Sequence, residues 1–261
     1  MKLGIVTISY NQAKYLQQAI ESVRLQNTDR LRYVIVDAGS QDNSREIILK
    51  NKERFSEILL EPDRGPADGL NKGFSKLEDA EILGYLNSDD VFAPGALDFV
   101  MNFFAENPKV DVLNGAIRII DDRNRISWRG RTSDAFNLIQ YSMGICTICQ
   151  QATFFRRQAF QKAGGFNLEN RTCWDGELMV DMALAKCKFA TTQKVLGYFR
   201  IYPDSITGSN RFKVQYDLDR NRIDQKIFAT SSNLHPRSFE KIYRLFYKMN
   251  LWRHLQYLIV R

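Results

Sequence analysis

Histidine and cysteine are scarce in this sequence, and their scarcity excludes several kinds of site. The 261 residues contain two His and four Cys. The single Cys-x-x-Cys pair, Cys146 and Cys149, has no second pair or nearby His that would complete a zinc site. We therefore expect the cysteines to be reduced thiols with a structural role.

Long apolar runs are also missing. The chain passes from Met1 directly into strand-like sequence, and no uninterrupted apolar stretch reaches the roughly 20 residues that a membrane-spanning helix needs. Because 44% of the residues are hydrophobic, the chain can still bury a sizeable core. These features predict a soluble, unsecreted protein of the cytoplasm.

The net charge of +7 is unevenly distributed. Residues 211–261 contain 11 Lys or Arg and four Asp or Glu, whereas residues 1–210 contain 26 of each. A neutral body that lacks a basic face and any recognised nucleic-acid motif argues against binding to nucleic acid. The excess positive charge therefore belongs to the C-terminal segment.

Strand and helix patterns alternate through the first 107 residues. Strands are predicted at Leu3–Ser9, Tyr33–Asp37, Glu57–Leu60 and Glu81–Leu86. Helices are predicted at Lys14–Leu25, Ser44–Phe55, Gly69–Leu77 and Pro94–Asn107. This alternation is typical of an α/β fold in which a mostly parallel sheet carries helices on both faces.

The following hundred residues carry weaker signals. They predict a strand hairpin within Val110–Arg131, a strand at Ala152–Phe155 and a helix at Arg157–Ala163. We therefore divide the chain into a catalytic domain with two halves, 1–107 and 108–210, and a basic helical extension, 211–261.

Two adjacent carboxylates follow the last of the four early strands, in the sequence Asn87-Ser88-Asp89-Asp90. Adjacent carboxylates repel each other, and at the carboxyl end of a strand they are well placed to hold a divalent cation with phosphate oxygens. The same four residues would also suit an ordinary polar turn.

Polar residues follow the other three strands as well. These segments are Ser9-Tyr10-Asn11, Asp37-Ala38-Gly39-Ser40 and Glu61-Pro62-Asp63-Arg64-Gly65. Because the carboxyl ends of parallel strands meet at one edge of a sheet, the four segments predict a single binding rim. Each also has a simpler explanation, since Asp37 or Asn11 could cap a helix and Gly39 could supply a turn.

Taken in order, these motifs resemble the inverting glycosyltransferases of family 2, which have a GT-A fold. The resemblance covers roughly residues 1–210. It implies that a sugar is transferred from a nucleoside-diphosphate sugar to a hydroxyl of a glycan or lipid-linked acceptor in polysaccharide biosynthesis. A UDP-sugar is the favoured donor, with GDP or dTDP as other possible nucleotides, and 1–107 becomes the donor half and 108–210 the acceptor half.

The resemblance also implies roles for individual residues. Asp90 would lie closest to a divalent cation, Mn²⁺ or Mg²⁺, and Asp89 would contact the metal, ribose or sugar. The implied donor-binding residues are Thr7, Ser9, Tyr10, Asn11, Asp37, Gly39, Ser40, Arg64, Asp68, Lys72, Asn87 and Asp89.

A second acidic motif follows the turn Gly164-Gly165-Phe166. By the same resemblance Asp175 is the base that takes the acceptor proton, and Glu177 is the alternative base. Asp175 could instead cap a helix at Gly176–Lys186, with Glu177 favouring the dipole of that helix. Acceptor or donor-sugar contacts are implied for Gln150, Gln151 and Trp174.

One position departs from the family pattern. Tyr202 stands where members often carry a His that contacts metal or diphosphate. Because a neutral Tyr is a poor metal ligand, we expect either a hydrogen bond from Tyr202 to the diphosphate or weak metal affinity. The departure leaves open a catalytically degenerate sugar-nucleotide-binding or scaffold protein. A sugar nucleotidyltransferase fits less well, because no Gly-rich phosphate loop follows the first strand.

The C-terminal segment has the pattern of a basic amphipathic helix. Between Ser238 and Val260 apolar residues recur at helical spacing among Lys and Arg residues. Residues 235–261 could attach peripherally to the anionic inner face of the cytoplasmic membrane. Alternatively, the apolar stripe could pack on the catalytic domain or on a second subunit.

Overall fold

The computed structural model describes residues 1–26, 30–203, 205 and 212–229. Its strands are β1 (Leu3–Ser9), β2 (Leu31–Asp37), β3 (Glu57–Leu59), β4 (Ile82–Asn87), β5 (Val91–Phe92), β6 (Val112–Ile120), β7 (Ile126–Thr132), β8 (Thr153–Arg156) and β9 (Phe189–Arg200). Its helices are α1 (Ala13–Arg24), α2 (Ser44–Lys50), α3 (Pro66–Ser75), α4 (Ala96–Glu106), α5 (Leu138–Ser142), α6 (Arg157–Ala163), α7 (Trp174–Leu184) and α8 (Lys213–Ala229).

The described strands form one mixed sheet in the order β3-β2-β1-β4-β8-β6-β9-β5, and β7 pairs with β6 outside this path. The first four strands are parallel, as the sequence predicts. In the second half, β8 runs antiparallel between β4 and β6, while β9 is parallel to β6 and antiparallel to β5. The sheet therefore joins both halves of the chain without a break.

Side chains on opposite faces of the sheet enter two separate cores. Along β1, Leu3 and Ile5 belong to the core under α1 and α4, whereas Val6 belongs to the core under α3 and α7. This division follows from the two-residue period of a strand. Helices cover both faces, which confirms the expected layers.

Helix α3 begins earlier than the sequence predicts, at Pro66 instead of Gly69. Proline is well suited to the first turn, because the amide that it lacks has no partner within the helix. Gly73 lets the helix approach β1, because a Cβ at this position would lie 2.5 Å from a methyl carbon of Val6. The close approach places the start of α3 beside the ends of β1 and β2.

Helix α8, at the start of the predicted extension, packs against α7 and α5. Ile223 and Ile227 form a small third core with Cys173 and Val180. The predicted amphipathic helix between Ser238 and Val260 lies outside the described residues. No helix within the described ranges is long and apolar enough to cross a membrane.

Candidate active site

The ends of three parallel strands lie side by side at one edge of the sheet. In the strand registers, Ser9 at the end of β1 is paired with Asp37 at the end of β2. Ile8, one residue earlier, is paired with Asn87 at the end of β4. The predicted rim is therefore present as a structural feature, and the polar segments that follow these strands meet there.

Asp37 is a fully buried carboxylate at this rim. It accepts hydrogen bonds from the backbone amides of Gly39 and Ser40, from the Ser40 hydroxyl at 2.5 Å and from Nε of Arg45 at 3.0 Å. Burial alone would raise the pKa of Asp37, but the donors on Ser40, Arg45 and Gly39 outweigh it and lower the pKa. Asp37 is thus held ionised by its neighbours.

The segment after β1 interlocks with the Asp37 loop. Asn11 adopts a positive φ of 52°, and its side-chain carbonyl accepts a hydrogen bond from the Gln41 amide at 2.7 Å. Tyr10 is 59% exposed, so its ring is available at the rim. The hydroxyl of Ser9 is buried and has no hydrogen-bond partner among the described residues. Thr7 lies deeper, fully buried with its hydroxyl 3.0 Å from that of Tyr33.

The segment after β3, residues 61–65, and helix α3 supply basic side chains beside the buried Asp68. Asp68 accepts a hydrogen bond from the Arg64 amide at 2.9 Å, and Nζ of Lys72 lies 3.8 Å from the same carboxylate. Nζ of Lys72 also donates to the carbonyl of Pro62 at 2.9 Å. The side chain of Arg64 is 68% exposed, which leaves its guanidinium accessible to a ligand.

Asp90 is buried and committed to protein donors. One oxygen accepts from the Arg200 amide at 2.9 Å, and the other accepts from the side-chain amide of Gln151 at 2.9 Å. Burial, followed by the charge of Asp89, raises the pKa of Asp90 well above its ordinary value. Both oxygens of Asp90 thus help to fix the turn, one to β9 and the other to Gln151.

Asp89 is half-buried and is the less buried residue of the pair. Its side chain accepts a hydrogen bond from the Tyr202 hydroxyl at 3.0 Å, and that hydroxyl accepts one from Gln12 at 2.9 Å. Burial raises the pKa of Asp89, although the bond from Tyr202 opposes this effect. Tyr202 therefore orients Asp89.

Arg200 is a functional residue that the sequence analysis missed. Its side chain is fully buried and donates to the Asp89 carbonyl at 2.7 Å, the Asp121 carbonyl at 2.8 Å and the Gln18 side chain at 2.9 Å. The guanidinium also lies 4.5 Å from the ring centre of Tyr15. Arg200 thereby ties the turn that carries Asp89 and Asp90, which we call the acid turn, to α1 and to the β6–β7 hairpin. An Arg at the end of an unrecognised strand gave no sequence signal for this role.

The two glutamines for which acceptor or donor-sugar contacts are expected make hydrogen bonds around the end of β4. Gln150 donates to the Tyr85 carbonyl at 3.0 Å and accepts from the Asn87 side chain at 3.3 Å. Gln151 holds Asp90, as described above. Both are buried, and their polar atoms fix the end of β4.

Asp175 lies at the wall of a small cavity beneath this edge. The cavity is also lined by Tyr85, Gln150, Thr153, Ile148, Leu178 and Met179. Burial raises the pKa of Asp175, and only backbone amides of its own turn oppose that effect. Helix α7 begins at Trp174 and its N-cap residue is Cys173, so Asp175 does not cap the helix.

Unpaired polar atoms accompany Asp175. Nε1 of Trp174 lies near the Tyr85 hydroxyl, but within the described part of the chain neither atom makes a hydrogen bond of ordinary length. The side-chain carbonyl of Asn87 is likewise buried without a partner there. Buried groups of this kind normally find a partner, so these atoms mark the surroundings of Asp175 and the end of β4 as able to accept further polar contacts.

Glu177, the alternative base, points into a different environment. It accepts hydrogen bonds from Asn167 and Lys226 at 2.8 Å, from Asn170 at 2.7 Å and from Arg222 at 3.2 Å. Burial alone would raise the pKa of Glu177, but these donors lower it to about 2. Its carboxylate is therefore a buried hub between α7 and α8.

The described residues contain no group of three or more His, Cys, Asp or Glu side chains that could hold a metal ion by itself. The adjacent acids Asp89 and Asp90 lie at the end of β4, Asp89 being the less buried of the two, and carboxylate oxygens suit a hard divalent cation. Such a cation needs further ligands, which phosphate oxygens and water would provide. The residues present therefore fit a cation that arrives with a diphosphate.

The family comparison agrees with this geometry. Residues 4–164, more than half of the chain, match the model of glycosyl transferase family 2. The chain belongs to this family. An uncharacterized glycosyltransferase of Nostoc sp. is 26% identical over 211 residues, which are 77% of this chain and 65% of that protein. The poly-beta-1,6-N-acetyl-D-glucosamine synthase of Staphylococcus epidermidis is 26% identical over 69% of this chain and 43% of its own length. The chain thus spans less than two thirds of either relative.

Solved structures confirm the GT-A fold. Residues 1–349 of S. aureus TarS in complex with UDP-GlcNAc superpose with a TM-score of 0.67 and 16% identity, covering all of this chain and 79% of the other. The Pyrobaculum calidifontis mannosyltransferase PcManGT, in complex with GDP-Man and Mn²⁺, gives a TM-score of 0.60 and 16% identity over 99% of this chain and 85% of its own. At such identities the similarity concerns the fold.

Proposed function

We propose that this family 2 glycosyltransferase is an inverting enzyme that transfers a sugar from a nucleoside-diphosphate sugar to a hydroxyl of a glycan or lipid-linked acceptor in polysaccharide biosynthesis. The observation that carries the proposal is the position of Asp175. An acid whose pKa is raised by burial lines a small cavity with Tyr85 of β4 and with Gln150, whose side chain also bonds Asn87 at the end of β4. This supports a base close to the strand end that precedes the acid pair.

The nucleoside would bind at the ends of β1 and β2. Tyr10 offers an exposed ring for stacking, Ser9 an unpaired hydroxyl, and Asp37 an ionised acceptor. Asn11, Gly39 and Ser40 shape this loop, and Thr7 supports it from below. A carboxylate accepts equally well from the imide N–H of uracil or thymine and from N1–H of guanine, so our preference for uracil rests on the UDP and UDP-GlcNAc complexes of TarS.

The diphosphate would lie between Asp89 and the basic side chains of Arg64 and Lys72, with Asp68 orienting the loop. A divalent cation, Mn²⁺ or Mg²⁺, would supply charge neutralisation for the departing diphosphate. We assign its protein contacts to Asp89, the less buried of the pair, and Asp90, which also fixes the turn through Arg200 and Gln151. The Mn²⁺ complex of PcManGT supports the choice of a divalent cation.

The chemical step follows from the position of Asp175. The acceptor hydroxyl oxygen attacks the anomeric carbon while the bond from that carbon to the diphosphate oxygen breaks, and the hydroxyl proton passes to the Asp175 carboxylate. Attack opposite the leaving group inverts the configuration. Glu177 is unsuited to this role, because a carboxylate with a pKa of about 2 and four donors has little tendency to take a proton.

We assign the acceptor contacts to the residues around Asp175. The unpaired Nε1 of Trp174 can donate to a sugar hydroxyl, whereas Gln150 and Gln151 act through Asn87 and Asp90.

A lipid-linked acceptor would be met at the membrane surface if residues 235–261 bind anionic lipid. Sedimentation of the chain with anionic vesicles, compared with a chain ending at Ser232, tests this point, and equal binding of both would refute it.

The donor site is tested by thermal shift with UDP-, GDP- and dTDP-sugars, each with and without Mn²⁺. We expect one nucleotide to stabilise the protein in a metal-dependent manner, and Asp89→Ala to abolish the metal-dependent part. Asp122→Asn, which alters an exposed acid on the β6–β7 turn, is the control and should behave as wild type. Binding without donor turnover by the wild type would instead support a sugar-nucleotide-binding protein.

A further inference from the structure

Helix α8 brings a buried carboxylate to the segment that precedes Asp175. Asp219 has no exposed surface, although it lies on a helix that the family match does not include. One of its oxygens accepts from the Arg171 amide at 2.9 Å, the Thr172 amide at 3.0 Å and the Thr172 hydroxyl at 2.7 Å. Its other oxygen accepts from Gln215 and Arg222, each at 3.1 Å. All five donors point at a single side chain.

A second set of contacts fixes the same segment from α7. The side-chain carbonyl of Asn170, a fully buried residue, accepts from the amides of Thr172 and Cys173 at 3.1 and 2.9 Å. The side-chain nitrogen of Asn170, Nδ2, donates to the Glu177 carboxylate. Glu177 in turn pairs with Arg222 and Lys226 of α8. The two helices therefore hold residues 170–173 from both sides.

Asp175 itself has little else to hold it. No side-chain donor opposes the rise of its pKa, and only backbone amides of residues 175 and 176 do so. The position of the Asp175 side chain therefore depends on the backbone of residues 173–175. A displacement of about 1 Å of a reacting group is enough to slow catalysis by about 100-fold. The contacts that fix residues 171–173 therefore bear directly on the candidate base.

We propose that Asp219 is a positioning residue for catalysis: α8 completes the active site by anchoring the segment 171–173 and so setting the place of Asp175. The proposal rests on the assignment of Asp175 as the base. It extends the functional unit beyond residue 210, where the sequence placed the end of the catalytic domain. It also gives the charged face of α8 a role other than general stability.

The test is steady-state kinetics of the full chain carrying Asp219→Asn. No orientation of an asparagine satisfies the site, because its NH₂ group would face either the three donors on residues 171 and 172 or the two on Gln215 and Arg222. We expect kcat to fall roughly 10- to 100-fold through misplacement of the base. The KM for the donor and the UDP-induced thermal shift should stay within about threefold, because the donor rim does not include α8.

Three further variants make the test specific. Asp217→Asn, which changes an exposed acid on the same helix, should match wild type. Thr172→Val, which removes one donor to Asp219, should lose part of kcat, and Thr172→Ser, which keeps the hydroxyl, should recover it. Thr172→Val and Thr172→Ser change the local structure only slightly. Comparing their kcat values therefore tests the positioning role even if Asp219→Asn fails to fold.

The outcomes separate this proposal from the proposed function. Wild-type kcat in a folded Asp219→Asn, or equal kcat in Thr172→Val and Thr172→Ser, would overturn the positioning role while leaving the glycosyltransferase assignment intact. Absence of turnover by the wild type with every donor would refute the proposed function itself. A selective loss of kcat in Asp219→Asn and Thr172→Val, with donor binding retained, would support both.

Discussion

At the scale of single residues, neighbouring acids differ because their backbone positions differ. Asp89 and Asp90 are chemically identical, yet Asp90 points at the Arg200 amide and Gln151, whereas Asp89 points at Tyr202. The sequence predicted the acid pair from its place after an apolar strand. Their different hydrogen-bond partners could not be predicted from local sequence, because the donors that distinguish the two lie more than 50 residues away along the chain.

Asp175→Asn tests the assigned base. We expect kcat to fall by roughly 10²- to 10⁴-fold, the usual contribution of general base catalysis, while the donor-induced thermal shift is retained. Glu177→Gln is an informative comparison, because Glu177 acts on Asp175 only indirectly, through Asn170 and α8, so its effect on kcat should be smaller than that of Asp175→Asn. A fall in donor binding as large as the fall in kcat would contradict the assignment.

The same residue sets the expected pH dependence. Burial raises the pKa of Asp175 above its ordinary value, and only the ionised form can take a proton. The rate should therefore rise with pH through this raised pKa and then level off. A pH profile of kcat/KM should show this acid limb in wild type, and the limb should disappear from the residual activity of Asp175→Asn.

At the scale of elements, the sequence predicted those with strong periodicity and missed those held by polar contacts. Strands β1 to β4 and helix α6 lie close to their predicted places because their apolar residues recur at clear spacing. Strand β9 was missed, since its Thr191–Lys194 stretch looks like a polar loop. Helix α8 gave little signal, because its inner face carries Asp219, Arg222 and Lys226 beside only two buried isoleucines.

The contact between α7 and α8 predicts a pH-dependent stability. The folded-state pKa of Glu177 is about 2, below the ordinary 4.5, so its ionised form stabilises the fold fully above pH 4.5. This contribution is lost as the pH falls towards 2. Glu177→Gln should cost about 3–5 kcal/mol at pH 7, because it breaks a buried ion-pair network.

Urea unfolding from pH 7 to pH 3 measures this difference in the free energy of unfolding. The gap between wild type and Glu177→Gln should shrink as the pH is lowered, because the wild type loses what the variant already lacks. Glu169→Gln changes an exposed residue of the preceding loop and should show no gap. A gap that stayed constant over the whole range would rule out the ionised carboxylate as its source.

At the scale of the whole molecule, one sheet unites the two halves that the sequence distinguished. Strand β8 bridges β4 and β6, so a continuous ladder runs from the donor edge into the second half. Arg200 adds a second connection, because its guanidinium joins the acid turn, α1 and the β6–β7 hairpin. Partners so far apart in sequence cannot be inferred from local patterns.

Arg200→Lys tests this connection. A lysine cannot reach all the acceptors that the guanidinium serves, and each buried acceptor left unpaired costs about 1–3 kcal/mol. We expect a loss of about 3 kcal/mol in the free energy of unfolding, which lowers Tm by roughly 6–12 °C in a chain of this size. Differential scanning calorimetry measures it, with the exposed Arg123→Lys as control. Equal Tm values for the two variants would show that the connection is dispensable.

The pairing of β5 with β9 has a consequence for synthesis on the ribosome. Val91 pairs with Tyr198, and the Arg200 amide holds Asp90, so the acid turn is completed by residues made about a hundred positions later. A nascent chain that has emerged only through α4 can pair its first four strands, since these are close in sequence. It already contains Asp89 and Asp90, yet it lacks Arg200, whose backbone amide and side chain hold their turn. The turn that carries the acid pair is therefore completed late in translation, after the first four strands can pair.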